Sequence, residues 1–272
     1  MTLSHPAYQL TPGSGPLLIS IPHLGTQIPA GIRSQLSETA TELRDTDWHL
    51  DRLYAMAADM GAGVLSARIS RYVIDLNRPP GGESLYPGQT TTGLVPAETF
   101  RGQPLYPAGQ DPDGTEMARR IDTYYRPYHA ALAMELARLK QLHGQVVLWE
   151  AHSIASVLPR LFEGKLPDLN FGTAEGRACS ASLIEEVLKP VQRQTALTHV
   201  LNGRFKGGYI TRHYGQPGQG IHAIQLEMCQ SLYMREEAPF SYLPEAAGRV
   251  QPLLQEMLAA AVQQVLQLGA IR

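Results

Sequence analysis

Three apolar runs in this chain each lead into a residue that can bind a metal or move a proton: Ile21-Pro-His23, Trp149-Glu-Ala-His152 and Gln225-Leu-Glu227. In α/β folds, ligands gather beyond the carboxyl ends of the strands, where helices and loops leave a crevice. If the three runs are parallel neighbours, His23, His152 and Glu227 converge. A catalytic zinc usually takes three ligands from His and Asp/Glu and keeps one position for water. The third ligand is sought in Asp45-Thr-Asp47-Trp-His49, at a helix start soon after the first run. Asp47 is the choice and Asp45 its nearest rival, since one of the two can instead cap the helix. Glu227, in an apolar strand, reads as a general base that takes a proton from attacking water and passes it to a leaving amine. Its plainer reading is a salt-bridged structural glutamate. Glu150, two residues before His152, reads as a carboxylate that orients the ligand histidine.

Two basic stretches supply anion-binding groups. In Ser70-Arg71-Tyr-Val-Ile-Asp75-Leu-Asn77-Arg78-Pro-Pro, the fork of Arg78 matches a carboxylate and Asn77 adds a neutral donor. Arg71 is suited to stabilise an oxyanion on an attacked acyl carbon. The plainer alternative is an ion-pair network in which Asp75 balances the arginines. In the second stretch, Asn202 to His213, Gly207-Gly208 permits close backbone approach to a ligand. Arg212 there is placed on a second substrate carboxylate, although Tyr209 to Arg212 reads equally as an edge strand. His129 reads as a core or surface residue. There is no GxSxG elbow, no GxxxxGK[ST] and no GxGxxG, which argues against serine-hydrolase, P-loop and dinucleotide chemistry.

The elements that must position these residues follow from periodicity. Strands are expected at Leu17–Ile21, Gly63–Ile69, Tyr72–Leu76, Val146–Trp149, Asp168–Gly172 and Ala223–Glu227. Helices are expected over about 45–61, 115–143, 175–188 and 239–268. Gly144 ends the second of these, and Pro190 stops the third. The Gly-, Pro- and Thr-rich stretch 79–113 reads as an ordered loop over one face. Strands alternating with helices give α/β layering, and with no linker between two cores the whole of 1–272 is read as one domain.

Composition narrows the function further. The chain has 272 residues, 43% of them hydrophobic, and a net charge of -2, which gives no reason to expect nucleic acid or an anionic membrane as partner. Its two cysteines, Cys179 and Cys229, exclude a disulfide scaffold and read as packing residues. Met1-Thr-Leu-Ser-His-Pro lacks a leader's basic and apolar regions, and no apolar run approaches the roughly 20 residues that span a bilayer. A cytoplasmic protein acting on a small molecule is expected, with no signal of its oligomeric state.

With those residues in hand, the sequence resembles the N-formylglutamate amidohydrolase (deformylase) family of histidine degradation. The resemblance spans most of the chain. It is carried by Pro22-His23-Leu-Gly25, Asp45-Thr-Asp47-Trp-His49, Ser70-Arg71 through Arg78-Pro-Pro, Tyr125 through His129, Ala151-His152-Ser153, Gly207 through Thr211 and Gln225-Leu-Glu227. It implies a three-layer α/β/α fold with a mixed, mainly parallel sheet, like those of zinc carboxypeptidases and N-acyl amino-acid deacylases. It implies Zn²⁺ (or another divalent metal) on His23, His152 and a carboxylate, with Glu227 as the base and Asn77-Arg78 on a substrate carboxylate. With the residue readings above, Asp47 is expected to complete the metal set and Arg71 to be catalytic. Substrate would lie against Asn77, Arg78, Gly207, Gly208, Thr211 and Arg212. The carboxypeptidase-like relatives take an acidic ligand three residues after the first histidine; here that residue is Thr26, which sends the third ligand to Asp47 or Asp45. Leu24 and Glu150 stand where the family pattern has Ser and Asp. The implied reaction is hydrolysis of N-formyl-L-glutamate to formate and L-glutamate. Its alternatives are deacylation of another N-acyl amino acid, such as N-formylaspartate, and non-catalytic dicarboxylate binding.

Overall fold

A computed structural model describes residues 6–85, 88 and 90–270 of the chain. The N-terminal reading of residues 1–5 and positions 86, 87 and 89 of the loop lie outside the described residues. The apolar runs pair into one sheet. β1 (Tyr8–Thr11), β2 (Leu17–Ile21), β3 (Gly63–Ala67), β4 (Val146–Ile154), β5 (Leu169–Gly172), β6 (His199–Leu201) and β7 (Ile221–Cys229) lie in the order β1-β3-β2-β4-β7-β5-β6. The central four, β3-β2-β4-β7, are parallel. β1 adds antiparallel at one edge, and β5, antiparallel to β7, carries β6 parallel at the other. The sheet is mixed and mainly parallel, as expected.

Strands buried on both faces read as continuous apolar runs, and β2 and β4 are buried throughout. The two-residue period then sorts their side chains. Ile19, Trp149 and Leu226 face α5 (Ala181–Gln192) and α7 (Pro244–Ala270), where Leu183, Val187, Leu254 and Leu258 cover them. Leu18, Leu148 and Ala223 face the opposite side, against Tyr128, Leu132 and Leu136 of α4 (Arg126–His143). Helices on both faces make three layers, and a short helix, α1 (Ala30–Arg33), follows β2. No helix among the described residues is long and apolar enough to cross a membrane.

Several expectations are corrected. The helix expected over 45–61 shrinks to α2 (Leu50–Leu53) and a 3₁₀ turn at Ala55–Ala57. Residues 45–49 are held in the loop instead: Asp47 N–H donates to His23 O (3.0 Å), and His49 adopts a left-handed φ of 62°. The strand expected at 72–76 is a turn. Ser70 Oγ accepts from Tyr72 N and Asp75 Oδ1 accepts from Asn77 N, so side chains satisfy backbone groups that a ladder would otherwise take. Its apolar residues are still buried, which is why the run looked like a strand. The helix expected over 175–188 begins at Ala181, after a left-handed turn at Ala174–Glu175, and Pro190 lies inside its last turn rather than stopping it. Tyr209–Tyr214 is a helix, α6, not an edge strand.

The long helix expected over 115–143 is present as α3 (Gly114–Arg120), a π turn (Ile121–Tyr125) and α4. Asp113 caps it, accepting from Glu116 N at 2.8 Å. Pro127 has no N–H for the carbonyl a turn before it, and the wide turn upstream makes room for its ring. The stretch 79–113 lacks regular structure where it is described. Edge strands β1 and β6, only four and three residues long, were not expected from the sequence.

Candidate active site

The alternation that builds the core also builds the site. Glu150 and His152 on β4, and Gln225 and Glu227 on β7, fall on the α4 side of the sheet because Leu148 and Ala223 do. The register sets Glu150 beside Gln225 and His152 beside Glu227. β2 runs parallel alongside β4, with Ser20 opposite Glu150, so His23 leaves the end of β2 level with His152. The loop after His23 passes tightly under Ile69: a Cβ on Gly25 would lie 2.0 Å from Ile69 O, so only glycine fits there.

Asp47 is delivered by the loop after β2, pinned to His23 O. Its Oδ2 lies 2.9 Å from His152 Nδ1 and 3.7 Å from His23 Nδ1. One ligand atom from each of His23, Asp47 and His152 falls within 4.8 Å of the others, a cluster that can hold a metal ion. Asp45 is turned elsewhere, its Oδ2 accepting from Phe100 N at 2.8 Å. Thr26 is outside the cluster, and Leu24 packs against the apolar core.

The hydrogen bonds behind the histidines fit a cation. His23 Nε2–H donates to Asp75 Oδ1 at 2.7 Å, while Arg71 Nη1 lies 3.3 Å from Nδ1, which must therefore carry the lone pair. Burial and the Arg71 charge hold His23 below its usual pKa, so it is a neutral donor. His152 Nε2–H donates to Glu150 Oε1 at 2.7 Å, and Glu150 also accepts from the Thr211 hydroxyl and from Thr211 N. That leaves His152 Nδ1 facing the Asp47 carboxylate. Two electron-pair donors at 2.9 Å need positive charge between them, either a proton or a metal. Burial opposes protonation, yet the bonds to Asp47 and Glu150 hold His152 well above its usual range. Each of the two histidines thus has a carboxylate behind its far nitrogen, which fixes ring orientation and raises basicity.

An open cleft reaches this cluster. Its walls include His23, Asp47, His152 and Glu227 at one end, with Arg71, Asn77, Arg78 and Arg204 among its polar groups. Burial pushes the Glu227 carboxyl up to about 8, so that it titrates near neutral pH. Arg71 donates from Nη2 to Asp75 Oδ2 at 2.6 Å, and its guanidinium lies 4.5 Å from the Phe100 ring centre. Burial raises the cost of a charged Asp75, but His23 and Arg71 outweigh it and hold the carboxyl well below the usual range. Asn77 Nδ2 lies 2.9 Å from His152 Nε2, and its Oδ1 accepts from Ile210 N. Gly208 packs so closely on Asn77 that a Cβ would lie 2.3 Å from Nδ2. Arg78 donates from Nε to Thr92 O at 3.0 Å, and Tyr125 OH donates to Arg78 O.

The expected residues do not all meet. Gly208 lines the cleft, whereas Gly207, Thr211 and Arg212 are not part of its lining. Thr211 is fully buried against Glu150. Arg212 donates from Nε to Gly207 O at 2.8 Å. Phe100, Thr90–Thr92, Leu161, Arg204, Phe205 and Gln225 line the cleft without having been singled out in the sequence. Gln225 was legible, since it shares a face with Glu227 at a spacing of two. The place of Asp75 behind His23 had a weaker signal, an Asp four residues after Arg71. Residues brought in by irregular loops, such as Phe100 and Thr90, had none.

Comparison with known proteins identifies relatives of the whole chain. The family model of N-formylglutamate amidohydrolase matches residues 15–234. The chain is 50% identical to the N-formylglutamate deformylase of Pseudomonas putida over 248 residues, which is 91% of this chain and 92% of that protein. It is 48% identical to the N-formylglutamate deformylase of Pseudomonas aeruginosa, covering 90% of this chain and 92% of that one. The crystal structure of N-formylglutamate amidohydrolase from Ralstonia eutropha JMP134 superposes with a TM-score of 0.77 at 25% identity, over 95% of this chain and 97% of that one. A gene product of Agrobacterium tumefaciens shares the fold, with a TM-score of 0.71 at 19% identity over 96% of each chain.

Proposed function

The chain belongs to the N-formylglutamate amidohydrolase family, and from that premise we propose that it hydrolyses N-formyl-L-glutamate to formate and L-glutamate with a divalent metal held by His23, Asp47 and His152. The observation that carries this reading is the meeting of those three ligand atoms with Glu227 at the end of a cleft that also holds arginines. Zinc suits a set of two imidazoles and one carboxylate, and when bound it would supply Lewis acidity and lower the pKa of water at the site.

The chain's own groups do the rest. Glu227 takes the proton from the attacking water and returns it to the departing nitrogen, so water adds across the amide C–N bond. Arg71, fixed by Asp75, offers donors to the oxyanion that develops on the formyl oxygen. Asp75 and Glu150 keep His23 and His152 in the tautomers that leave Nδ1 facing the cluster. Arg78, beside Asn77, pairs a substrate carboxylate in the cleft.

The test is formate release from N-formyl-L-glutamate before chelation, after chelation and after zinc is restored. Release that is lost to chelator and regained with zinc is the expected result. A folded, zinc-loaded protein that releases no formate would overturn the reading.

A further inference from the structure

A doubly anionic substrate calls for two cationic partners, and Arg212, expected in that place from the sequence, does not line the cleft. Three guanidinium groups do: Arg71, Arg78 and Arg204. Arg71 is committed to the buried Asp75 carboxylate at 2.6 Å, and sits beside His23 where the acyl group must lie. Arg78, 3.9 Å from Asp75, and Arg204, bonded to backbone carbonyls, lie farther along the cleft wall and are the cations we assign to the two carboxylates of the substrate.

Both of these arginines are anchored on backbone carbonyls of the same short segment. Arg78 donates from Nε to Thr92 O at 3.0 Å, and Arg204 donates from Nη2 to Thr90 O at 3.2 Å. Two residues of chain span at most about 7 Å, so the two anchoring carbonyls lie within that reach of each other and both forks serve the same stretch of the cleft. The carboxyl carbons of glutamate, four carbon–carbon bonds apart, are separated by about 5 Å when extended. A molecule with a carboxylate at each end suits two cations that line one cleft. A carboxylate is also a stronger acceptor than the carbonyls that these forks now hold, because the bond is charge-assisted.

The surroundings of Arg204 suit the side-chain end of glutamate. Its Nε donates to Leu161 O at 3.0 Å, which fixes the plane of the fork. Its guanidinium lies 5.3 Å from the ring centre of Phe205, and Leu161 and Phe205 both line the cleft. The methylene groups of a glutamyl side chain would lie on that apolar wall while the carboxylate meets the fork. Arg78 adjoins Asn77, whose amide touches the ligand His152, and so belongs at the end nearer the reacting bond.

We propose that Arg204 is the specificity-determining residue that pairs the side-chain carboxylate of the substrate, while Arg78 takes the carboxylate next to the scissile amide. This rests on the hydrolytic reading above. The test compares kcat/KM for N-formyl-L-glutamate and N-formyl-L-glutamine in the wild type and in Arg204→Gln. N-formyl-L-glutamine has nearly the same shape but lacks the side-chain charge. Loss of one charge-assisted bond predicts a fall of about 10- to 150-fold for the glutamate substrate, mainly through KM. The glutamine substrate, whose amide oxygen is a weaker acceptor than a carboxylate, should fall by less, so that the preference for glutamate narrows, and an unchanged urea unfolding midpoint shows that the variant is folded. A preference for glutamate that survives Arg204→Gln, or one that is abolished by Arg212→Gln instead, would overturn the assignment. Wild-type protein that cleaves neither substrate would overturn the hydrolytic reading. Binding of L-glutamate against L-glutamine by calorimetry would then test Arg204 alone, with the same selective loss expected in Arg204→Gln.

Discussion

Replacing Asp75 by Asn changes almost no volume but removes the charge on which His23 and Arg71 both depend. Asp75 is fully buried and accepts from His23 Nε2 at 2.7 Å, Arg71 Nη2 at 2.6 Å and Asn77 N at 2.9 Å, with Arg78 Nε a further 3.9 Å away. An asparagine offers one acceptor oxygen and one amino group at that place. If the oxygen faces His23 and Asn77, the amino group meets Arg71, donor against donor. If the amide is flipped, it meets His23 and Asn77 instead. Either orientation leaves Arg71 a buried charge without its counter-ion, a loss that costs about 3–5 kcal/mol of folding stability. His23 also loses the carboxylate that fixes its ring, which typically lowers metal affinity by about 10- to 100-fold. Urea unfolding of the metal-free protein measures the first effect, and competition for zinc against a chromophoric chelator measures the second. Formate release should track zinc occupancy in the variant. An Asp75→Asn protein that unfolds within about 0.5 kcal/mol of wild type and binds zinc within threefold would refute the reasoning.

Glu227→Gln should lower kcat by about 100- to 10,000-fold, because the proton carrier is gone, while zinc binding stays within a few-fold of wild type; equal losses of metal and activity would instead make Glu227 part of the metal site. Asp47→Ala should abolish stoichiometric zinc binding, whereas Asp45→Ala should keep it and lose about 1–3 kcal/mol of stability by leaving Phe100 N without its acceptor; metal analysis beside urea unfolding separates the two. His129 supplies a pH dependence. Burial lowers its pKa to about 4, with Nε2 donating to Leu76 O. Below its unfolded value of 6.5, the unfolded chain binds a proton that folded His129 refuses. Stability should therefore fall as the pH drops from above 6.5 to about 4, by about 3 kcal/mol from this group. His129→Gln should flatten that slope, and identical slopes in the two proteins would exclude His129 as its source.

The sequence by itself determined the layering and the donor types. Runs such as Leu17–Ile21 and Val146–Trp149, only four or five residues long and bounded by turn residues, are too short for a buried helix and read as strands buried on both faces. A polar residue at the end of such a run is costly to bury, so His23, His152 and Glu227 stood out before any topology was known. The period of two also determined that Glu150 and His152 share a face, as do Gln225 and Glu227.

Tertiary structure alone decided what meets them. Asp45 and Asp47 differ by two positions in an irregular loop, where no periodicity says which way a side chain turns; the Asp47 N–H bond to His23 O and the Phe100 N–H bond to Asp45 settle their places. The run 72–76 carries strand-like residues, yet Asp75 and Ser70 bond to the backbone locally and fold it into the turn that carries Asp75, Asn77 and Arg78 to the cleft. Arg204 and Arg212 lie eight positions apart in one basic stretch and are chemically alike. Only the path of the loop into α6 puts Arg204 on the cleft and Arg212 against Gly207 O. Local periodicity records burial, since burial acts on each element. It holds no record of which loop crosses which strand end, because that depends on contacts between residues far apart in the chain.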